Sequence, residues 1–195
     1  MNVSVSTLKG APYRRAKHDF YVEPHWLVNA LLDVEMFTGT VLDPACGSGT
    51  IVSCCRERGI KATGADIVDR GFKHVQVQDF FERTEPVDAI ICNPPYKLAQ
   101  RFVERGLTLA PKVVMLLRLV FVEGQRRKRF YAATPPARIW VTARRASIPD
   151  GAHSGQRDRH GAVVQPEGKG GSVVYAWFVW QRGHRGDTIL RRLEY

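Results

Sequence analysis

The sequence is short of several things, and each shortage closes off a class of protein. Only four of its 195 residues are cysteine: Cys46, Cys54, Cys55 and Cys92. None stands in a C-x-x-C pair or at ligand spacing from a histidine, so no zinc site and no other metal is expected. Cys54 and Cys55 are adjacent, which is poor geometry for bridging one to the other. Small buried thiols in a reducing compartment are the reading that fits. No stretch approaches the ~18 apolar residues of a membrane span. The first twenty residues hold no apolar segment of the kind a secretory signal needs, so a cytoplasmic location is expected and no membrane partner. Acidic residues are scarce in one half alone. Residues 97–195 hold 7 Asp/Glu against 19 Lys/Arg, a balance of +12, while residues 1–96 hold 12 against 10, a balance of −2; the two sum to +10. Positive charge gathered this way suggests a polyanionic partner met mainly by the second half.

What is present has the composition of an ordinary globular chain, 44% hydrophobic and 25% charged, at the length of about one domain. Residues 1–17 read as a polar, basic tail broken by Gly10 and Pro12, and residues 18–195 as a single domain. From Pro24 a helical stripe runs through Trp26, Leu27, Ala30, Leu31 and Val34. Short apolar segments at Thr40–Leu42, Ala62–Ile67, Val75–Val77, Val87–Cys92, Val113–Leu117, Ala137–Thr142 and Val173–Trp180 are strand candidates. Helix-like segments at Thr50–Arg58, Lys97–Leu109 and Glu123–Tyr131 stand between them. Alternation of this kind predicts an α/β fold with a mainly parallel, doubly wound sheet. Thr188–Leu193 is expected to fold back on Val173–Trp180 through the Gly183–Gly186 turn as an antiparallel edge hairpin. Between core and hairpin, 149–171 reads as a long, glycine-rich, basic surface loop, a length uncommon unless the loop is functional or disordered.

Two strings carry chemistry. In VLDPACGSGT (Val41–Thr50), a strand runs into a glycine turn and a helix start. Gly47 and Gly49 permit positive φ and close approach of a ligand to the backbone, and N–H groups at a helix start suit an anionic group. The spacing does not supply the G-x-G-x-x-G of dinucleotide-binding loops. Downstream, the Val87–Cys92 strand runs straight into Asn93-Pro94-Pro95-Tyr96. Two prolines stiffen the turn and remove donors, leaving an amide oxygen, a bare Pro94 carbonyl and an aromatic ring. That set suits a planar group bearing an N–H₂: Asn93 and the Pro94 carbonyl each accept one hydrogen, and Tyr96 stacks on the ring.

DPACGSGT resembles the first motif of the amino-methyltransferases, and NPPY after an apolar strand resembles the signature of N-methyltransferases. The resemblance implies a Rossmann-like class I methyltransferase fold and S-adenosylmethionine as cofactor. It implies that Asp43, Pro44, Ala45, Cys46, Gly47 and Gly49 cradle the methionine part, and that Asp66, followed by Ile67, binds the ribose. Asp79 would receive the adenine amine and Phe80 flank the ring, while Tyr21 and Pro24 of DFYVEP resemble the segment that closes over the methionine end, beside Asn93. NPPY serves adenine N6 in DNA, bases in structured RNA and a glutamine amide in proteins. The motif order and the stretches LLRLVFVEGQRRKRF, PPARIWVTARRASIP and YAWFVW resemble small phage and prophage adenine methyltransferases over nearly the whole chain. DNA is therefore the expected acceptor, with base flipping, in a bacterial or phage-infected cell. An RNA base is the nearest rival, protein glutamine is a further one, and a non-catalytic binding module is the reading from another class. Phosphate contacts are expected from Lys97, Arg126, Arg127, Lys128, Arg129, Arg144 and Arg145, with Arg157, Arg159 and Lys169 on the long loop. At this length no separate target-recognition domain is expected.

Overall fold

The computed structural model describes residues 20–148 and 173–194; the expected tail, the expected loop and its Arg157, Arg159 and Lys169 lie outside the described residues. The apolar segments become eight strands: β1 (Thr40–Asp43), β2 (Lys61–Asp66), β3 (Gln76–Val77), β4 (Ala89–Cys92), β5 (Lys112–Arg118), β6 (Arg138–Thr142), β7 (Tyr175–Gln181) and β8 (Ile189–Leu193). They form one sheet in the order β3-β2-β1-β4-β5-β7-β6-β8. Every pairing is parallel except the two made by β7. Four α-helices, α1 (His25–Val34), α2 (Thr50–Glu57), α3 (Ala99–Leu109) and α4 (Lys128–Ala133), complete the α/β architecture. None of them is long and apolar enough to cross a membrane, among the described residues.

The continuous apolar run of β5 follows from burial on both faces. Val114 and Leu116 join Leu27 and Leu31 of α1 and Ile51 of α2 on one face. Val113, Met115 and Leu117 join Phe102 and Val103 of α3 and Phe121 on the other. β7 alternates in the same way, with Trp177 and Val179 on the first face and Phe178 and Trp180 on the second. The indole N–H of Trp177 donates to the Leu27 carbonyl at 3.0 Å, pinning α1 to the sheet. All four cysteines are buried free thiols, as expected for small apolar fillers; burial pushes the Cys55 thiol up to about 12.

The expected edge hairpin is not formed. β7 lies inside the sheet, antiparallel to β5 on one side and β6 on the other. β8 runs parallel to β6, from Arg138 opposite Ile189 to Thr142 opposite Leu193. Burial explains the exchange. Residues 175–180 are all buried, whereas only Leu193 is buried in β8. An all-apolar strand gains most from neighbours on both edges, and a strand carrying Arg191 and Arg192 suits the edge and guards it.

Connections from β1 through α2 to β2 and from β4 through α3 to β5 run to opposite sides of the sheet. The order reverses between β1 and β4. In open α/β sheets the crevice beyond the carboxyl ends of such strands is where ligands bind.

Candidate active site

The chain leaves β1 at Asp43 and turns back across the end of β2. The Cys46 N–H donates to the Ala65 carbonyl at 2.9 Å, and the Gly49 N–H to the Cys46 carbonyl at 2.7 Å. Gly49 has φ +88° at the start of α2, and a Cβ there would lie 2.2 Å from the Phe72 ring. Gly64 in β2 matters for a different reason: a Cβ would stand 2.8 Å from Cys46 Sγ, so its bare backbone lets the loop lie against the strand.

Three carboxylates gather under this loop. Asp66, at the end of β2, accepts the Gly47 N–H at 2.9 Å and the Val68 N–H at 2.9 Å. Arg70 stands 3.9 Å from it, with its guanidinium 4.0 Å over the Phe20 ring. Asp43 is buried and accepts the Ala45 N–H at 3.2 Å. Burial, then the neighbouring Glu23 charge, pushes its carboxyl well above the usual range. Glu23 is 5% exposed; burial raises its carboxyl too, against a hydrogen bond from Asn93. Burial therefore favours the neutral form of both Asp43 and Glu23.

β4 delivers Asn93 to the same place. Its Nδ2 donates to the Tyr21 carbonyl at 3.0 Å and to Glu23 Oε2 at 2.9 Å. Two acceptors at one end of the amide fix which end is nitrogen. The other end, Oδ1, is buried and has no hydrogen-bond partner. A buried amide oxygen left unpaired is expensive, and here it is an acceptor held in a fixed orientation. The Pro95 carbonyl, by contrast, is occupied by the Leu98 N–H at 2.8 Å.

A cavity of about 380 Å³ opens over these groups. Of the residues singled out in the sequence, Tyr21, Pro44, Ala45, Cys46, Gly47, Asp66, Ile67, Asp79, Phe80, Asn93 and Pro95 line it. Ile67 is 64% exposed at the rim, and Asp79 accepts the Phe81 N–H at 2.8 Å. Phe80 packs at a tilt against Phe102, ring centroids 5.0 Å apart. Pro24 caps α1 instead, and Asp43, Gly49 and Pro94 lie behind the lining. Tyr96 turns away from this cavity and contributes to the wall of another. Its ring lies between Tyr21, at 5.9 Å and nearly parallel, and Tyr175, at 6.0 Å, with the Arg118 guanidinium 5.1 Å above it. Among the described residues no group of three His, Cys, Asp or Glu side chains is placed to hold a metal ion.

The basic candidates are spread out. Lys97, Arg126, Lys128, Arg129 and Arg145 are exposed. Arg126 and Arg127 stand on a 3-10 turn that leads into α4, while half-buried Arg144 lies 5.2 Å over Trp26 of α1. Sequence reasoning missed Glu23, Phe20, Arg70 and Arg118. For Glu23 a signal was available: a carboxylate inside a short apolar segment just ahead of a helix.

No protein-family model matches the chain, and no curated protein matches it. Solved structures match in fold. A candidate RNA methyltransferase from Pyrococcus horikoshii superposes with a TM-score of 0.54 at 17% identity, over 81% of this chain and 80% of that one. A protein from Thermoplasma acidophilum gives 0.55 at 15%, over 82% and 84%. A candidate class I S-adenosylmethionine-dependent methyltransferase from Listeria monocytogenes gives 0.54 at 13%, over 87% of this chain and 62% of that one. At these identities the likeness is one of fold alone: the Rossmann-like α/β sheet that the chain shares with the two candidate methyltransferases.

Proposed function

We propose that the chain is an S-adenosylmethionine-dependent methyltransferase acting on the exocyclic amine of a nucleobase, in the first place N6 of adenine in DNA. The observation that carries this reading is the Asn93 amide, held by Tyr21 and Glu23 with its Oδ1 buried and unpaired. The residues present fit the cofactor. The cavity volume lies in the range of ordinary ligand clefts, ~300–1,000 Å³. Asp66 and Asp79 on its lining offer carboxyl oxygens as acceptors to a polar ligand.

When bound, S-adenosylmethionine supplies a methyl group on a sulfonium, open to attack by a nitrogen lone pair. Asp66 has acceptor capacity left after its two backbone bonds and would hold the ribose hydroxyls, Asp79 and Phe80 would receive the adenine, and the Ala45–Gly47 backbone would hold the methionine part. Asn93 Oδ1 accepts one hydrogen of the acceptor amine, which orients the nitrogen lone pair. An amine inside a duplex cannot reach a pocket at strand ends, so a duplex base leaves the stack, at a few kcal/mol. An RNA base is the second reading, favoured by the fold likeness to the candidate RNA methyltransferase.

Transfer of a labelled methyl group onto DNA, RNA and protein in parallel tests the acceptor: label on DNA adenine is expected, and label on protein alone refutes the reading. Calorimetry tests the cofactor. Binding in the micromolar range, about −8 kcal/mol, is expected, and Asp66→Ala should weaken it by roughly 1–3 kcal/mol. Gly64→Ala should weaken it too, because the loop must move off β2. Unchanged affinity in both variants would place the cofactor elsewhere.

A further inference from the structure

A second cavity, of about 140 Å³, opens on the far side of the Asn93–Tyr96 turn. Tyr96, Ala99, Leu117, Arg118, Phe121 and Arg127 are among its walls, and no acidic residue lines it. It is too small for a cofactor-sized ligand, which needs ~300 Å³ or more. Both arginines are half-buried, and the Nε–H of each is buried without a partner. Neither has a carboxylate partner among the described residues. Two half-buried cations that face one void, each with an unsatisfied buried Nε–H and no carboxylate partner, make a setting that an anion would complete.

The guanidiniums are also held in place. Arg127 lies 4.7 Å over the Phe121 ring and donates through Nη2 to the Val120 carbonyl at 3.3 Å and the Glu123 carbonyl at 2.5 Å. Tyr131 Oη in turn donates to the Phe121 carbonyl at 3.1 Å. Arg118 leaves the end of β5 and lies over Tyr96. A planar fork of N–H donors matches phosphate oxygens, and exposed Arg126 is the chain neighbour of Arg127. We propose that this cavity is an anion subsite that takes a phosphodiester of the acceptor strand beside the modified nucleotide, held by Arg118 and Arg127. The proposal rests on a nucleic acid being the acceptor. One turn then separates the two sites: Asn93 and Pro95 face the first cavity and Tyr96 the second, so a phosphate gripped here places its own or the adjacent base near Asn93. A glutamine side chain has no use for two arginines at that position.

Nitrogen-15 spectra of the arginine Nε–H groups test this directly, with inorganic phosphate and with short fluorescein-labelled DNA and RNA single strands as probes. The Arg118 and Arg127 signals should shift with inorganic phosphate. Those of Arg56 and Arg182, already bonded to the Ala62 and Leu107 carbonyls, should stay still. Arg118→Met and Arg127→Met should each weaken strand binding about tenfold or more and lower the log–log salt slope by ~0.7, with cofactor affinity unmoved. Whichever strand shows the larger loss identifies the source of the phosphodiester. Unshifted Arg118 and Arg127 signals, or variants that bind strands with the wild-type affinity and slope, would overturn the subsite. Phosphate shifts with no binding of either strand, and cofactor binding intact, would keep the anion site and refute the nucleic-acid acceptor.

Discussion

Asn93→Ala is expected to slow methyl transfer by at least about 100-fold, the usual effect of deleting one preorganised polar group at a reacting centre, while cofactor affinity stays within a few-fold. The loss should fall on kcat, since the Oδ1 atom is proposed to act on the acceptor amine and not on the cofactor. Glu23 enters through the same amide. Removing its Oε2 leaves Nδ2 with the Tyr21 carbonyl alone, so the amide is free to turn. Glu23→Ala should therefore lower kcat by about tenfold or more, the range for a lost hydrogen bond to a charged group. Glu23→Gln keeps an acceptor oxygen for Asn93 and should retain much of the rate. It should also raise stability at neutral pH, and the sign follows from burial. Glu23 has its carboxyl raised above the ordinary 4.5 in the folded state. Its contribution to stability is complete below that value and is lost as pH rises through the raised one. Relative to acid, the buried Glu23 carboxyl therefore works against the fold at neutral pH. A thermal melt should show Glu23→Gln more stable than the parent, with the gap closing on acidification. Normal turnover by Asn93→Ala would remove the amide from the chemistry.

How much of this was legible in the sequence depended on how local the cause was. The turn after β4 could be read from Asn93-Pro94-Pro95-Tyr96 because two prolines and a preceding apolar strand set its geometry within six residues. Double burial of β5 was written in its unbroken apolar run, whereas the equally apolar β7 was expected at the edge. The position of β8 was not legible either, because the choice between a hairpin and a parallel crossover is decided by which strand gains from a central place, and that is a competition across the whole sheet. Glu23 escaped for a similar reason: the group that gives it a role, Asn93, is 70 positions away. Tyr96 was read as a free stacking face, whereas Tyr21, Tyr175 and Arg118 surround it. Arg118 stands just past the apolar run Val113–Leu117, and only a cavity makes it more than a strand end. Glu35 is the extreme case. A glutamate just past the end of an amphipathic helix reads as surface, yet it is 6% exposed.

Glu35→Ala is expected to destabilise the protein by about 3–5 kcal/mol, the range for breaking a buried ion pair from one side. Its carboxylate ties three elements together. Arg138 of β6 meets it in a fork, Nε to Oε1 at 2.5 Å and Nη2 to Oε2 at 3.0 Å, while Lys112 of β5 reaches Oε2 at 2.6 Å. Trp140 adds its indole N–H to Oε1 at 2.8 Å. Truncation leaves two cations with side chains only 17% and 21% exposed and an indole donor, all facing a void. Burial alone would raise the Glu35 carboxyl, but hydrogen bonds from Arg138, Lys112 and Trp140 overcome it and hold the value down to about 2. A depressed folded value means that the stabilisation is present above the ordinary 4.5 and is lost as pH falls through 2. The difference between those two values sets the loss at up to about 3 kcal/mol, at 1.36 kcal/mol for each pH unit. Urea titrations of parent and Glu35→Gln between pH 7 and pH 2 should therefore converge in acid, the parent losing stability over that interval and the variant far less. Because the pair joins the end of α1 to the sheet some distance in sequence from Asn93, surviving folded Glu35→Gln should bind cofactor normally. Parallel pH curves for the two proteins would show that Lys112 and Arg138 do not feel the Glu35 charge, and the network would then be only a packing contact.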